Sequence, residues 1–160
     1  MASNKPYKER TVVIIKPDAI QRSLVSNIIE RFEYKGLKIV GLKMVSISDT
    51  LVKDHYSHHA DKPFFESLKK FMQSAPVIVI ALEGFEAIRM VRRLAGPTSG
   101  READIGTIRG DLSISMQMNV IHASEDEKTA QDEINRFFKP NELFDYRKID
   151  FESLYSEDER

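Results

Sequence analysis

The chain has 160 residues, 41% hydrophobic and 31% charged, which suits one soluble domain with a real core and is short for two. Its 24 Lys+Arg against 25 Asp+Glu leave a net charge of -1, so no overall field draws it to nucleic acid or anionic membrane. The absence of cysteine excludes a disulfide scaffold, thiolate catalysis and cysteine-ligated zinc.

The opening decapeptide MASNKPYKER is polar and lacks the apolar stretch of a signal peptide, which leads us to expect a cytoplasmic protein. TVVII (Thr11 to Ile15) is β-branched and continuously apolar, a buried central strand that stops at Pro17. Leu24, Val25, Ile28, Ile29 and Phe32 then recur at helical spacing, with Gly36 where a helix-ending glycine belongs. LKIVGLKMVSI returns to extended character. SDTLVKDHYSHHADKPFFESLKKFM has helical composition broken at Pro63, predicting a pair of short helices.

VIVIAL (Val77 to Leu82) is a second buried strand, followed by a helix through Ile88, Val91 and Leu94 that ends at Gly96. PTSGREADIGTIRGDLS has three glycines and no clear periodicity. NVIHA reads as a fourth strand. SEDEKTAQDEINRFF is a helix whose start is marked by Ser124 and Glu127 at capping-box spacing, with Ala130, Ile134 and Phe137 as its apolar stripe. The longest apolar runs fall far short of a membrane span, and the acidic SEDER is a solvated tail. This order predicts a single α+β domain over 1–160 with flexible ends at 1–8 and 156–160. The plan is a ferredoxin-like βαββαβ sandwich: an antiparallel four-stranded sheet with helices on one face, an added helical hairpin and a long glycine-containing loop.

No GxxxxGK[ST] is present and no GxGxxG follows a strand, so neither a P-loop nor a dinucleotide fingerprint is supported. The 96–110 loop still carries Thr98, Arg101 and Arg109, with Arg92 and Arg93 on the helix leading in. Planar guanidinium groups on a glycine loop suit phosphate oxygens, and scattered solvated arginines would read the same way. His122 ends an apolar run just before a helix N-terminus, where backbone N–H groups favour anions. It is either a packed core histidine or a nucleophile. Glu133, in the following helix, is either a surface carboxylate or the group that holds one imidazole nitrogen and leaves the other free.

HYSHH sets His55, His58 and His59 at metal-ligand spacing, with no third ligand type signposted. Lys16, directly after TVVII, either snorkels or presents its ammonium at a sheet end. Of Phe64 and Phe65, one suits the core and the other a stacked base.

Taken together, ERTVVIIKPDAIQRSLV, HYSHHADKPFF, GTIRGD and NVIHAS…EI resemble the nucleoside diphosphate kinase family, in order, from about Glu9 to about Tyr155. The resemblance implies a ping-pong reaction in which His122 takes the γ-phosphate of a nucleoside triphosphate as a phosphohistidine and passes it to a nucleoside diphosphate. By the same resemblance His122, Glu133, Ser124, Tyr56 and Lys16 form the catalytic set, with Glu133 fixing His122, Ser124 bonding that carboxylate, and Tyr56 near the phosphoryl position. Arg92 and Thr98 would hold the β-phosphate, Arg109 would span toward the transferring phosphate, Lys16 and Asn119 would bond the ribose, and Phe64 would stack on the base.

Mg²⁺ would arrive on the nucleotide rather than in a protein cage. The implied partners are nucleoside di- and triphosphates and further copies of the chain, as a hexamer first, with tetramer or dimer as alternatives; activity needs no nucleic acid and no membrane. Ala19 and Ala123 stand where the family commonly has glycine, and Gly100 and Ile105 where it often has proline. Each missing proline is expected to cost about 0.4–1 kcal/mol through the unfolded chain. The alternative is a nucleotide-binding or scaffolding homologue with little activity. A nucleic-acid-binding module is disfavoured, because its sheet would need exposed aromatics and a basic face.

Overall fold

A computed structural model describes residues 8–159, with His58 described by its backbone alone; of the ends expected to be flexible, 1–8 and 156–160, residues 1–7 and Arg160 lie outside the described residues, while Lys8 is the first residue of a strand. The apolar runs form the sheet, as β1 (Lys8–Ile15), β2 (Lys38–Val45), β3 (Val77–Phe85) and the short β4 (Ile121–Ala123). Their order is β2-β3-β1-β4 with every neighbouring pair antiparallel, the ferredoxin-like arrangement. Eight helices of four residues or more accompany them among the described residues: α1 (Pro17–Gln21), α2 (Val25–Tyr34), α3 (Asp49–His55), α4 (Phe65–Met72), α5 (Ala87–Ala95), α6 (Ile108–Leu112), α7 (Glu127–Phe137) and α8 (Phe151–Leu154). None is long and apolar enough to cross a membrane.

The helices cover both faces of the sheet, not one. Val12, Ile14, Val79 and Ala81 pack against Val52 of α3, Leu68 and Phe71 of α4, and Ile134 and Phe137 of α7. Val13, Ile15, Ile78, Ile80 and Leu82 turn the other way, onto Ile28 and Phe32 of α2, Val91 of α5 and Ile108 of α6. Strands covered on both sides must be apolar at successive positions, which is why VVII and VIVIAL show no alternation. Ile14, Ile15 and Phe32 are fully buried, each burial contributing about 1.5–3 kcal/mol.

The start of α7 also differs from expectation. Asp126 is its N-cap, accepting the Thr129 N–H at 2.7 Å. Ser124 cannot cap because its own N–H still donates to Val12 O at 3.1 Å, continuing the β1–β4 pairing past Ala123.

The 96–112 stretch, without periodicity in sequence, is held by close backbone approaches. Gly100 N–H donates to Ser115 O at 3.1 Å, and a Cβ on Gly100 would lie 2.5 Å from the Ser113 carbonyl oxygen. Proline there would lose the bond and strike the backbone, so the expected cost of a missing proline does not arise at 100. Gly110 is tighter still, since its Cβ would lie 2.0 Å from Asp104 O. Gly110→Ala is therefore expected to lower stability by about 2–3 kcal/mol, read as a lower urea midpoint at unchanged slope. An unmoved midpoint would mean that the Asp104 backbone yields freely.

Candidate active site

A cleft of about 1030 Å³ opens beside β4, and nine of the ten residues to which the resemblance assigns a role line it: Lys16, Tyr56, Phe64, Arg92, Thr98, Arg109, Asn119, His122 and Glu133. The tenth, Ser124, is fully buried beneath. His122 stands opposite Ile14 in the β1–β4 ladder, and directly opposed residues project to the same face. That is the face covered by α3, α4 and α7, so the topology aims His122 at the inward side of α7.

There its Nε2 lies 2.6 Å from Glu133 Oε1. A carboxylate only accepts, so Nε2 carries the proton and Nδ1 keeps the lone pair. The other carboxylate oxygen accepts from Ser124 Oγ at 2.6 Å, while Ser124 Oγ accepts the Val12 N–H at 3.1 Å. Capping and bonding Glu133 were competing jobs for one hydroxyl, and the charged acceptor has it. Glu133 is buried, whereas the His122 side chain keeps 23% of its surface exposed on the cleft.

The cations converge at the other side. Arg109, on α6, donates from Nη1 to Gly96 O at 2.7 Å and from Nη2 to Ile121 O at 2.8 Å, tying the long loop to β4. Burial, and then the charge of Arg92, lower its guanidinium to about 10, so it remains a cation at neutral pH. Lys16 Nζ donates to Asn119 Oδ1 at 2.6 Å. Both amide hydrogens of Asn119 are committed, to Thr98 O at 2.9 Å and Met116 O at 2.8 Å. Arg101 is exposed on the loop and away from the cleft lining, and Arg93 lines a neighbouring depression shared with Arg92.

Phe64 is 45% exposed at the cleft, while Phe65 is buried in the core. The Tyr56 ring meets His55 edge-on at 4.6 Å, and His55 meets His122 the same way at 4.6 Å. Burial, and then the Glu133 charge, push the Tyr56 phenol above its ordinary range, so it stays a neutral hydrogen-bonding group.

Two of the HYSHH histidines have described side chains, and they serve different neighbours. His59 packs against Phe64 at 5.3 Å, and the His58 side chain lies outside the described residues. His55 instead joins His122 and Glu133, with one donor atom of each within 4.8 Å of the others. Sequence reading missed this role of His55, as it missed Arg136, whose Nη1 lies 3.4 Å from His55 Nδ1. Only the place of His55 beside Tyr56 could have hinted at it.

Lys16 gives the site a pH signature. Burial, and then the Arg109 charge, push its ammonium from 10.5 down to about 7, with Asp18 offsetting part of this. Between those values the unfolded chain binds more protons than the folded one, so stability rises with pH across that window. A phosphate beside Nζ restores the proton. Triphosphate affinity should therefore fall nearly ~10-fold between pH 8 and 9, with close to ~1 proton taken up on binding. Calorimetry in buffers of different ionisation enthalpy reads this directly, and undiminished uptake in Lys16→Arg would reject the assignment.

A family model described as nucleoside diphosphate kinase matches residues 9–143. Among curated proteins the chain is similar to a nucleoside diphosphate kinase of Parabacteroides distasonis, 50% identical over 94% of this chain and 99% of that one. One from Staphylothermus marinus is 52% identical over 86% of this chain and 98% of that one. Among solved structures it is similar to a halophilic nucleoside diphosphate kinase from Halobacterium salinarum in complex with CDP, with TM-score 0.91 and 43% identity over 94% of this chain and all of that one. A transition state mimic of the Borrelia burgdorferi enzyme with bound vanadate and ADP gives TM-score 0.84 and 38% identity, over 89% of this chain and 94% of that one.

Proposed function

This chain belongs to the nucleoside diphosphate kinase family, and from that premise we propose that its phosphotransferase activity runs through a phosphohistidine at His122. The observation that carries the proposal is the Ser124–Glu133–His122 relay, with both links at 2.6 Å, which leaves Nδ1 as the ring nitrogen with a lone pair.

Nδ1 attacks the γ-phosphorus of a nucleoside triphosphate, and the bond from that phosphorus to the β–γ bridging oxygen breaks. The nucleoside diphosphate leaves with that electron pair. A second diphosphate then uses its terminal oxygen to take the phosphoryl group, and the ring nitrogen recovers its lone pair. Glu133 balances the positive charge that the ring gains while phosphorylated. Arg92 and Thr98 hold the β-phosphate, Arg109 reaches the transferring phosphoryl group, and Tyr56 supports it. Lys16 and Asn119 face the ribose. With both Asn119 amide hydrogens committed, Lys16 supplies the donors there. Phe64 stacks on the base, a contact every base can make.

The phosphate end of the cleft offers Lys16, Arg92 and Arg109, and the cluster of two histidines and a glutamate is a poor donor set for a hard, oxygen-seeking ion. Mg²⁺ accordingly enters as part of the nucleotide substrate, where it neutralises phosphate charge. The whole of 1–160 acts as one kinase domain in the cytoplasm, with no call for nucleic acid or membrane. Leu42 and Met44, exposed on the edge strand β2, with Ile105 on the long loop and Ile114 just after α6, support assembly of copies of the chain, with a hexamer as the form we propose.

The test is γ-labelled ATP with Mg²⁺ followed by a GDP chase. Acid-labile, base-stable label on His122 that moves to GDP is the expected result. GTP formed with no labelled protein intermediate would overturn the ping-pong reading.

A further inference from the structure

Val120 has a φ of +66°, a left-handed conformation that a β-branched residue holds only under constraint. Across it, the Ile121 N–H donates to Asn119 O at 2.8 Å, so residues 119–121 form a γ-turn of the rare, positive-φ kind. Strain of this sort persists only where the surroundings over-determine it.

Two groups from the start of α1 grip the turn. Lys16 N–H donates to Val120 O at 2.9 Å, and Val120 N–H donates to Asp18 Oδ2 at 3.1 Å. Asp18 is buried, and its Oδ1 has no hydrogen-bond partner among the described residues. A carboxylate in that position is expensive to desolvate, and a small apolar residue would fit the burial better. What a polar side chain provides there, and an apolar one cannot, is an acceptor for the Val120 N–H; the carboxylate charge also offsets part of the downward push on Lys16.

The turn stands between the two halves of the site. Asn119, paired with Lys16 Nζ, comes immediately before it, and His122 comes two residues after. Relaxing Val120 to extended backbone would change the angle between them without removing a single reacting group.

We propose that Asp18 is a positioning residue for phosphoryl transfer: by holding Val120 left-handed, it sets the aim of His122 relative to the Lys16–Asn119 pair. This rests on the reading of His122 as the nucleophile. Misplacing a reacting atom by about 1 Å costs on the order of 10²-fold in rate, so the effect belongs in the chemical step more than in binding.

Asp18→Ala, Asp18→Asn and the double variant Asp18→Ala/Val120→Gly test this by single-turnover labelling from γ-labelled ATP, with ADP affinity measured alongside. Asp18→Ala should label His122 about 30–100-fold more slowly, with ADP affinity within about threefold of wild type. Asp18→Asn should stay within about fivefold, because its amide oxygen can accept the same N–H. The double variant should recover most of the loss, because glycine takes a positive φ without a clamp. It also serves if Asp18→Ala alone does not fold, since it no longer carries the strained valine.

A folded Asp18→Ala that labels at the wild-type rate overturns the inference, as does a folded double variant slower than wild type by ~30-fold or more. An unlabelled wild-type chain removes the His122 reading and this inference with it. A labelled wild type beside an equally labelled Asp18→Ala removes this inference alone.

Discussion

His122→Ala is expected to slow phosphoryl transfer by about 10⁴-fold or more while leaving ADP affinity within about threefold of wild type. The size follows from the role. His55 Nδ1 also lies 3.7 Å from Glu133 Oε1, but its ring is almost fully buried where that of His122 opens on the cleft, so the covalent route closes with His122. The small binding effect also follows from geometry. Lys16 is held by Asn119, and Arg109 by the Gly96 and Ile121 carbonyls, so neither leans on the His122 ring. Stopped-flow turnover and equilibrium ADP titration of the same preparation separate the two quantities. Turnover within tenfold of wild type would mean that the phosphoryl group never passes through this nitrogen.

Arg109→Lys should recover little of what Arg109→Ala loses, with both slower by about 10²–10³-fold in kcat/KM for the triphosphate. Arg109 spends one Nη hydrogen on Gly96 O and another on Ile121 O, and it still turns the rest of a buried guanidinium toward the cleft. A lysine ammonium is a single point. It can satisfy a carbonyl or face the phosphate, but it cannot bridge the loop to β4 while doing so. The same substitution should lower the melting temperature, because Gly96 O and Ile121 O each lose a charge-assisted donor. Arg109→Lys with wild-type turnover would reduce the role of Arg109 to charge alone.

The elements were legible in the sequence for physical reasons. β1 and β3 are runs of β-branched residues too short for helices, and α2 and α7 carry apolar stripes at helical spacing. Even the two-sided cover was present in VVII and VIVIAL, where the lack of alternation is what burial on both faces requires. Reading one covered face instead gave the topology too much weight over the residues. Ser124 shows a different failure. Its spacing to Glu127 met the capping rule, but a carboxylate from the next turns of α7 was the better acceptor and the chain stayed extended through it. The motifs carried identity without arrangement: periodicity alone did not separate exposed Phe64 from buried Phe65, which the resemblance did, and nothing in the sequence set His55 beside His122.

Periodicity was enough for the strands and the longer helices, and the motifs for the family, because each depends on residues within a few positions of one another; the short helices α1, α6 and α8 carried no such signal. The working geometry needed the folded chain. Asp18 and Val120 are 102 positions apart, Lys16 and Asn119 are 103, and Ser124 and Val12 are 112. A left-handed valine is no preference of valine; it exists because a distant carboxylate and a distant N–H hold it there. Local sequence cannot encode such a contact, since its energy appears only when the sheet has brought both ends together.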